Sequence, residues 1–198
     1  MSFLLTISAC SGQQVKSDNN QNETGNIQTT ENIQQQESNT SEVRIMPGHI
    51  VMMAIDLDRT RQFYEEHLNF RTTEELVFEG LRRIFMSASG KHHELVLLES
   101  TVAEFPPIEQ RQLQQVAFEV PTHDVLVDYY KHIKQTDIPH VIKDNQVSLS
   151  LYFTDPNEVT VEIYWDITDQ PFGEQMWNGN QEDISEEKFL NPFELMNK

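Results

Sequence analysis

A chain of 198 residues carrying 14 basic and 32 acidic side chains, a formal charge of −18, has room for one ordinary domain with flexible ends. Charge of that sign disfavours nucleic acid and anionic lipid as partners, since both are polyanions. A lone cysteine, Cys10, forbids an internal disulfide and leaves the fold to rest on its apolar core.

The first ten residues, MSFLLTISAC, are apolar from Phe3 to Leu5 and too few to span a bilayer. Their last four, Ile7-Ser8-Ala9-Cys10, resemble the lipobox of bacterial lipoproteins, in which an aliphatic and two small residues precede a cysteine that is lipidated. That resemblance implies a signal segment over 1–10, a lipid anchor at Cys10 and a place in the cell envelope, with the cytoplasm as the alternative. From Ser11 to Val43 the chain is mostly Gln, Asn, Ser and Thr, with too little apolar surface to offset the entropy of ordering. This stretch is expected to be a disordered polar linker, the tether an anchored domain needs.

From His49 the pattern changes. His49 to Ile55 reads as a strand and Asp58 to Leu68 as an amphipathic helix capped by Asp56 or Asp58. Strands are expected at Phe70 to Val77, Leu81 to Ala88 and His93 to Leu98, with turns at Gly80 and Ser89-Gly90. After Pro106-Pro107 the order returns: a strand from Leu113 to Val120 and a helix from Thr122 to Thr136. Strands follow near His140 to Lys143, Val147 to Thr154 and Val159 to Trp165. The chain therefore spells βαβββ twice, in modules 49–99 and 113–165 of a domain covering 44–166.

Side-chain spacing supports the repeat. Gln115 follows His49 by 66 positions, and Tyr129-Tyr130 follow Phe63-Tyr64 by the same number, whereas Glu162-Ile163 follow Glu94-Leu95 by 68. Each copy would begin with a potential metal ligand and end on a carboxylate. In Val147 to Trp165, Ser148, Ser150 and Tyr152 alternate with Leu149, Leu151 and Phe153, and Thr160, Glu162 and Tyr164 alternate with apolar neighbours. Two polar strand faces can thus line one pocket. The expected fold class is α+β, two tandem βαβββ modules forming a half-open barrel around a cup, with helices on the apolar outer faces.

Four stretches carry a family resemblance: Gly48-His49-Ile50 leading into Asp56-Leu57-Asp58 and Phe63-Tyr64; LQQVAFEV from Leu113 to Val120; VSLSLYFTDPNEV; and the closing Glu162-Ile163-Tyr164-Trp165-Asp166. Together they resemble the vicinal oxygen chelate superfamily of glyoxalases, fosfomycin-resistance proteins and extradiol dioxygenases. The resemblance implies a divalent metal (Fe, Mn, Ni or Zn) held in the cup by His49, Gln115 and Glu162. It implies Tyr152 beside the substrate and Glu94 as a fourth ligand or base.

The departures matter as much. Gln115 stands where dioxygenases have histidine, and a neutral amide is a weaker ligand for Fe(II). Asn145 stands where they often have an acid-base histidine, and Glu158 where their turn has glycine. Two functions follow: a metal-dependent enzyme of glyoxalase or extradiol type acting on a small oxygenated molecule, or a cup that binds a small molecule without metal. His67, His123, His132 and His140 read as surface residues. The acidic tail, 167–198, holds Phe172, Trp177, Phe189, Leu190 and Phe193, with Ser185 capping a short helix that Pro192 interrupts. It is expected to serve packing, folding back on the domain or meeting a second subunit as a homodimer.

Overall fold

The computed structural model describes residues 46–107 and 110–196. The lipobox-like segment and the polar linker lie outside the described residues. Among these, no helix is long and apolar enough to cross a membrane.

The first module runs β1 (Ile50–Ala54), α1 (Leu57–Leu68), β2 (Arg71–Phe78), β3 (Leu81–Ser87) and β4 (Leu95–Glu99). The second runs β5 (Gln115–Glu119), α2 (His123–Lys134), β6 (His140–Asp144), β7 (Ser148–Thr154) and β8 (Thr160–Asp166). The sheets are ordered β1-β4-β3-β2 and β5-β8-β7-β6, the latter extended by β9 (Glu182–Asp183). In each module the first and last strands pair in parallel and the remainder antiparallel. The doubled βαβββ order of the sequence is therefore the fold.

Both helices start where side-chain chemistry says they should. Asp56 accepts from the Arg59 amide at 3.0 Å, so Asp56 rather than Asp58 is the cap; Thr122 accepts from Val125. Each sheet packs its apolar face under its helix: Met52 and Ala54 from β1, Ile84 and Met86 from β3, Leu149, Leu151 and Phe153 from β7, and Val161, Ile163 and Trp165 from β8 join one core with Tyr64, Leu68, Leu126, Tyr130 and Ile133. The opposite face of β1, with Val51, Met53 and Ile55, is exposed. This alternation makes the cup.

The modules are joined by the turn between β7 and β8. Asn157, buried there, accepts from the Ile55 amide at 3.1 Å and donates to the Thr60 hydroxyl at 3.1 Å. Beside it the Asp155 carboxylate accepts from the Asn157 and Val159 amides at 2.8 and 2.9 Å and from the Tyr64 hydroxyl at 3.4 Å. Burial pushes the Asp155 carboxyl up from its ordinary value, and these donors work against that shift. Aromatic contacts Phe63 to Phe153 and Phe70 to Phe118 close the same seam.

The tail wraps back on the domain. Phe172 and Phe189 are buried in the core, and α3 (Glu186–Leu190), capped by Ser185, is followed by α4 (Pro192–Leu195) with Pro192 in its first turn. His123 and His140 are only half-exposed and bonded to the carbonyls of Phe189 and Ile138. His67 and His132 meet each other across α1 and α2 at 3.1 Å.

Glu158 takes φ 62°, a left-handed conformation that costs a non-glycine residue about 1 kcal/mol or more. Glu158 thus adopts the conformation that glycine would take without cost. Its ion pair with Arg111, 2.9 Å, is exposed on the glutamate side and returns little. Glu158→Gly should raise stability by up to about 1 kcal/mol in urea unfolding. Asn157→Ala, which strips the Ile55 amide of its partner, should cost about 2–3 kcal/mol in the same assay.

Candidate functional site

Strand register builds a polar cluster on the open face of the second sheet. Tyr152 of β7 lies directly opposite Glu162 of β8, and Glu162 opposite Ala117 of β5, two residues beyond Gln115. The cross-strand position lets the Tyr152 hydroxyl donate to Glu162 Oε1 at 2.6 Å, and the diagonal one lets the Gln115 amide donate to Oε2 at 2.6 Å. Glu162 is 8% exposed, so its carboxylate is held by these neighbours rather than by water.

Asn145, in the turn between β6 and β7, completes the cluster. Its Nδ2 lies 2.9 Å from the Tyr152 hydroxyl, 2.9 Å and 3.1 Å from the Ser150 and Ser148 hydroxyls, and 3.5 Å from Glu162 Oε1. Two amide hydrogens are shared among four acceptors. Gln181, just before β9, donates to Asn145 Oδ1 at 2.8 Å and reaches the Tyr152 hydroxyl at 3.4 Å. Sequence reasoning missed Gln181, because nothing in the tail's composition distinguishes it from its polar neighbours.

The expected site residues divide into two groups. Gln115, Glu162 and Tyr152 come together. His49 precedes β1, is exposed, and packs against His93 with ring centroids 4.7 Å apart; among the described residues no hydrogen bond ties it to the cluster. Glu94 lies in the loop before β4, where it accepts from the Ala88 amide at 3.1 Å and from the Ser89 hydroxyl. Desolvation, the largest single effect, raises its carboxyl, but the hydrogen bonds from Ser89, Ser87 and Ala88 together outweigh it and leave it below the ordinary value.

Glu94 is also not the counterpart of Glu162. Val51 pairs with Val96 as Ala117 pairs with Glu162, so the repeat keeps its 66-residue spacing to the last strand and places Val96 where the second module has its carboxylate. Likewise Phe85 faces Val96 where Tyr152 faces Glu162. The 68-residue spacing matched similar letters, Glu-Leu and Glu-Ile, rather than equivalent positions.

The model of the Glyoxalase/Bleomycin resistance protein/Dioxygenase superfamily matches residues 47–163. The chain belongs to this superfamily. Among solved structures, a glyoxylase/bleomycin resistance protein/dioxygenase domain from Frankia sp. EAN1pec is 15% identical, with a TM-score of 0.57 over 63% of this chain and 99% of that one. The trypanothione-dependent glyoxalase I of Leishmania major is 17% identical, with a TM-score of 0.51 over 64% and 90% of the two chains. A fosfomycin resistance protein from Listeria monocytogenes, solved with Mn(II), is 18% identical, with a TM-score of 0.47 over 62% and 93%. No curated protein matches the sequence significantly. Residues beyond 163, including Gln181, lie outside the superfamily match.

Superfamily membership raises the question of a divalent metal, and the expected donors Gln115 and Glu162 are turned toward one another. Gln115 turns its amide N–H, not its oxygen, toward Glu162, whose second oxygen is taken by Tyr152. The first module offers Val96 in place of a second carboxylate, and Glu94 is engaged by its own loop.

The cluster's own chemistry is that of a hydrogen-bonding receptor. Burial, and then the Glu162 carboxylate, push the Tyr152 hydroxyl up to about 12, while Asn145 and Ser150 pull the other way. Tyr152 therefore remains a donor at neutral pH. Its folded value lies above the 10.0 of a free tyrosine, so its stabilising contribution is complete below pH 10 and is lost as pH rises toward 12. An alkaline absorbance titration of the parent minus Tyr152→Phe should show this tyrosine ionising near pH 12, two units above a free one.

Proposed function

We propose that this chain is a superfamily member that binds a small hydroxyl-bearing molecule in its cup without a metal. The observation that supports this reading is the engagement of both Glu162 oxygens by neutral donors, Tyr152 and Gln115. A carboxylate held this way is ready to accept one more hydrogen bond, from a ligand hydroxyl. The first module's open face exposes Val51 and Met53, a place for an apolar part of the ligand. The ligand then carries hydroxyl groups and an apolar part.

The metal-dependent reading, a glyoxalase-like or ring-cleaving enzyme, draws support from one observation. His49 and Gln115 stand immediately before, or at the start of, equivalent strands, 66 positions apart, and Gln115 reaches Glu162. In that reading His49, Gln115 and Glu162 would hold the ion, which would polarise an oxygen of the substrate.

Elemental analysis of the chain, purified without chelator or histidine tag and then offered Fe, Mn, Ni and Zn, separates the two. We expect no stoichiometric metal, together with a rise in melting temperature in catechol but not in its dimethyl ether, which has no hydroxyl to donate. Glu162→Gln should abolish the catechol response. One equivalent of metal, lost in His49→Ala, would instead establish the metal-dependent reading.

A further inference from the structure

Asn145 touches every other polar member of the cluster except Gln115, so its orientation decides what the cup presents. A carboxamide offers an oxygen on one side and an NH2 group on the other. With the NH2 turned inward it donates to Tyr152 and lies toward Glu162; turned over, its oxygen would face the carboxylate. Among the described residues of the superfamily match nothing hydrogen-bonds Asn145 Oδ1. Its partner is Gln181, from the segment beyond the match.

That segment is fixed in place. The Glu174 amide donates to the Gln146 carbonyl at 2.7 Å; β9, which begins one residue after Gln181, pairs with β6 through Asp144 and Lys143. Lys143 and Asp183 form an ion pair at 2.9 Å, and Phe189 lies fully buried beyond them. Gln181 is thus delivered to Asn145 by a tail whose neighbouring residues are anchored on both sides.

We propose that Gln181 is a positioning residue of the cup. By holding Asn145 Oδ1 it keeps the Asn145 NH2 group on Tyr152 and Glu162, and so makes ligand binding depend on the C-terminal segment. The dependence on a ligand rests on the hydroxyl-binding reading above; the control of Asn145 does not.

The test uses the full chain with two substitutions. Gln181→Leu removes the donor; Gln181→Glu keeps the size but presents an acceptor, which turns the Asn145 NH2 group away from Glu162. The Asn145 side-chain amide is followed by 1H–15N spectroscopy, assigned with Asn145→Asp. We expect its resonances to move and its hydrogen exchange to accelerate about tenfold in both variants, the change that loss of about 1.4 kcal/mol of restraint produces. Catechol affinity should weaken by a similar factor, with the melting temperature nearly unchanged in Gln181→Glu. Unchanged Asn145 resonances in both variants would overturn the positioning role, whatever the cup binds. Moved resonances with undiminished catechol affinity would overturn the dependence of binding on the tail. If catechol fails to bind even the parent chain, the hydroxyl-binding reading falls with that dependence, while the Asn145 resonances still decide the positioning role.

Discussion

The structure depends on the short turn in which Asp155 and Asn157 meet the first module. Asn157 takes the amide of Ile55, just past the end of β1, and the hydroxyl of Thr60 in α1; Asp155 holds the turn's own amides and meets Tyr64. A buried carboxylate is costly to desolvate and is tolerated because donors surround it. Those donors come from both modules, so the polar groups specify one docking where apolar contact alone would admit several. The position of the first sheet against the second, and hence the cup, follows from it.

Much of this was legible in the sequence because the signals were periodic. Alternating side chains marked β7 and β8, the spacing from His49 to Gln115 exposed the repeat, and the pair Asp56 and Asp58, like Ser185, announced helix starts. The site was legible in part. Tyr152 and Glu162 could be placed on polar strand faces from parity, and Gln115 beside them from the repeat and the family resemblance, and the three do meet. The equivalence of Glu94 with Glu162 failed, because a glutamate beside an aliphatic residue recurs by chance, whereas strand register places Val96 opposite Val51. Gln181 was illegible for a different reason: its contact with Asn145 spans 36 positions through irregular chain, where no period exists to be read.

Duplicated modules need not share duties equally. The first presents Val96 and Phe85 where the second presents Glu162 and Tyr152, and its β2 is exposed along almost its whole length. Packing constrains both copies alike, since each sheet must cover its helix. Nothing comparable constrains the open faces, so one could carry Val96 and Phe85 beside Arg83 while the other collected Ser148, Ser150, Tyr152 and Glu162. The cup therefore meets its contents with two chemically different walls.

The wrapping of the tail fixes an order of events during synthesis. The first module has its strands and helix once residue 99 has emerged, but the second sheet lacks β9 until Glu182–Asp183 have followed, and its core lacks Phe189 until later still. Because chains leave the ribosome N-terminus first, the first module can gather while the second waits. The cup acquires its polar contact from Gln181 only after the superfamily-matched residues have been made. A chain released early would carry the whole superfamily-matched region yet an unfinished site.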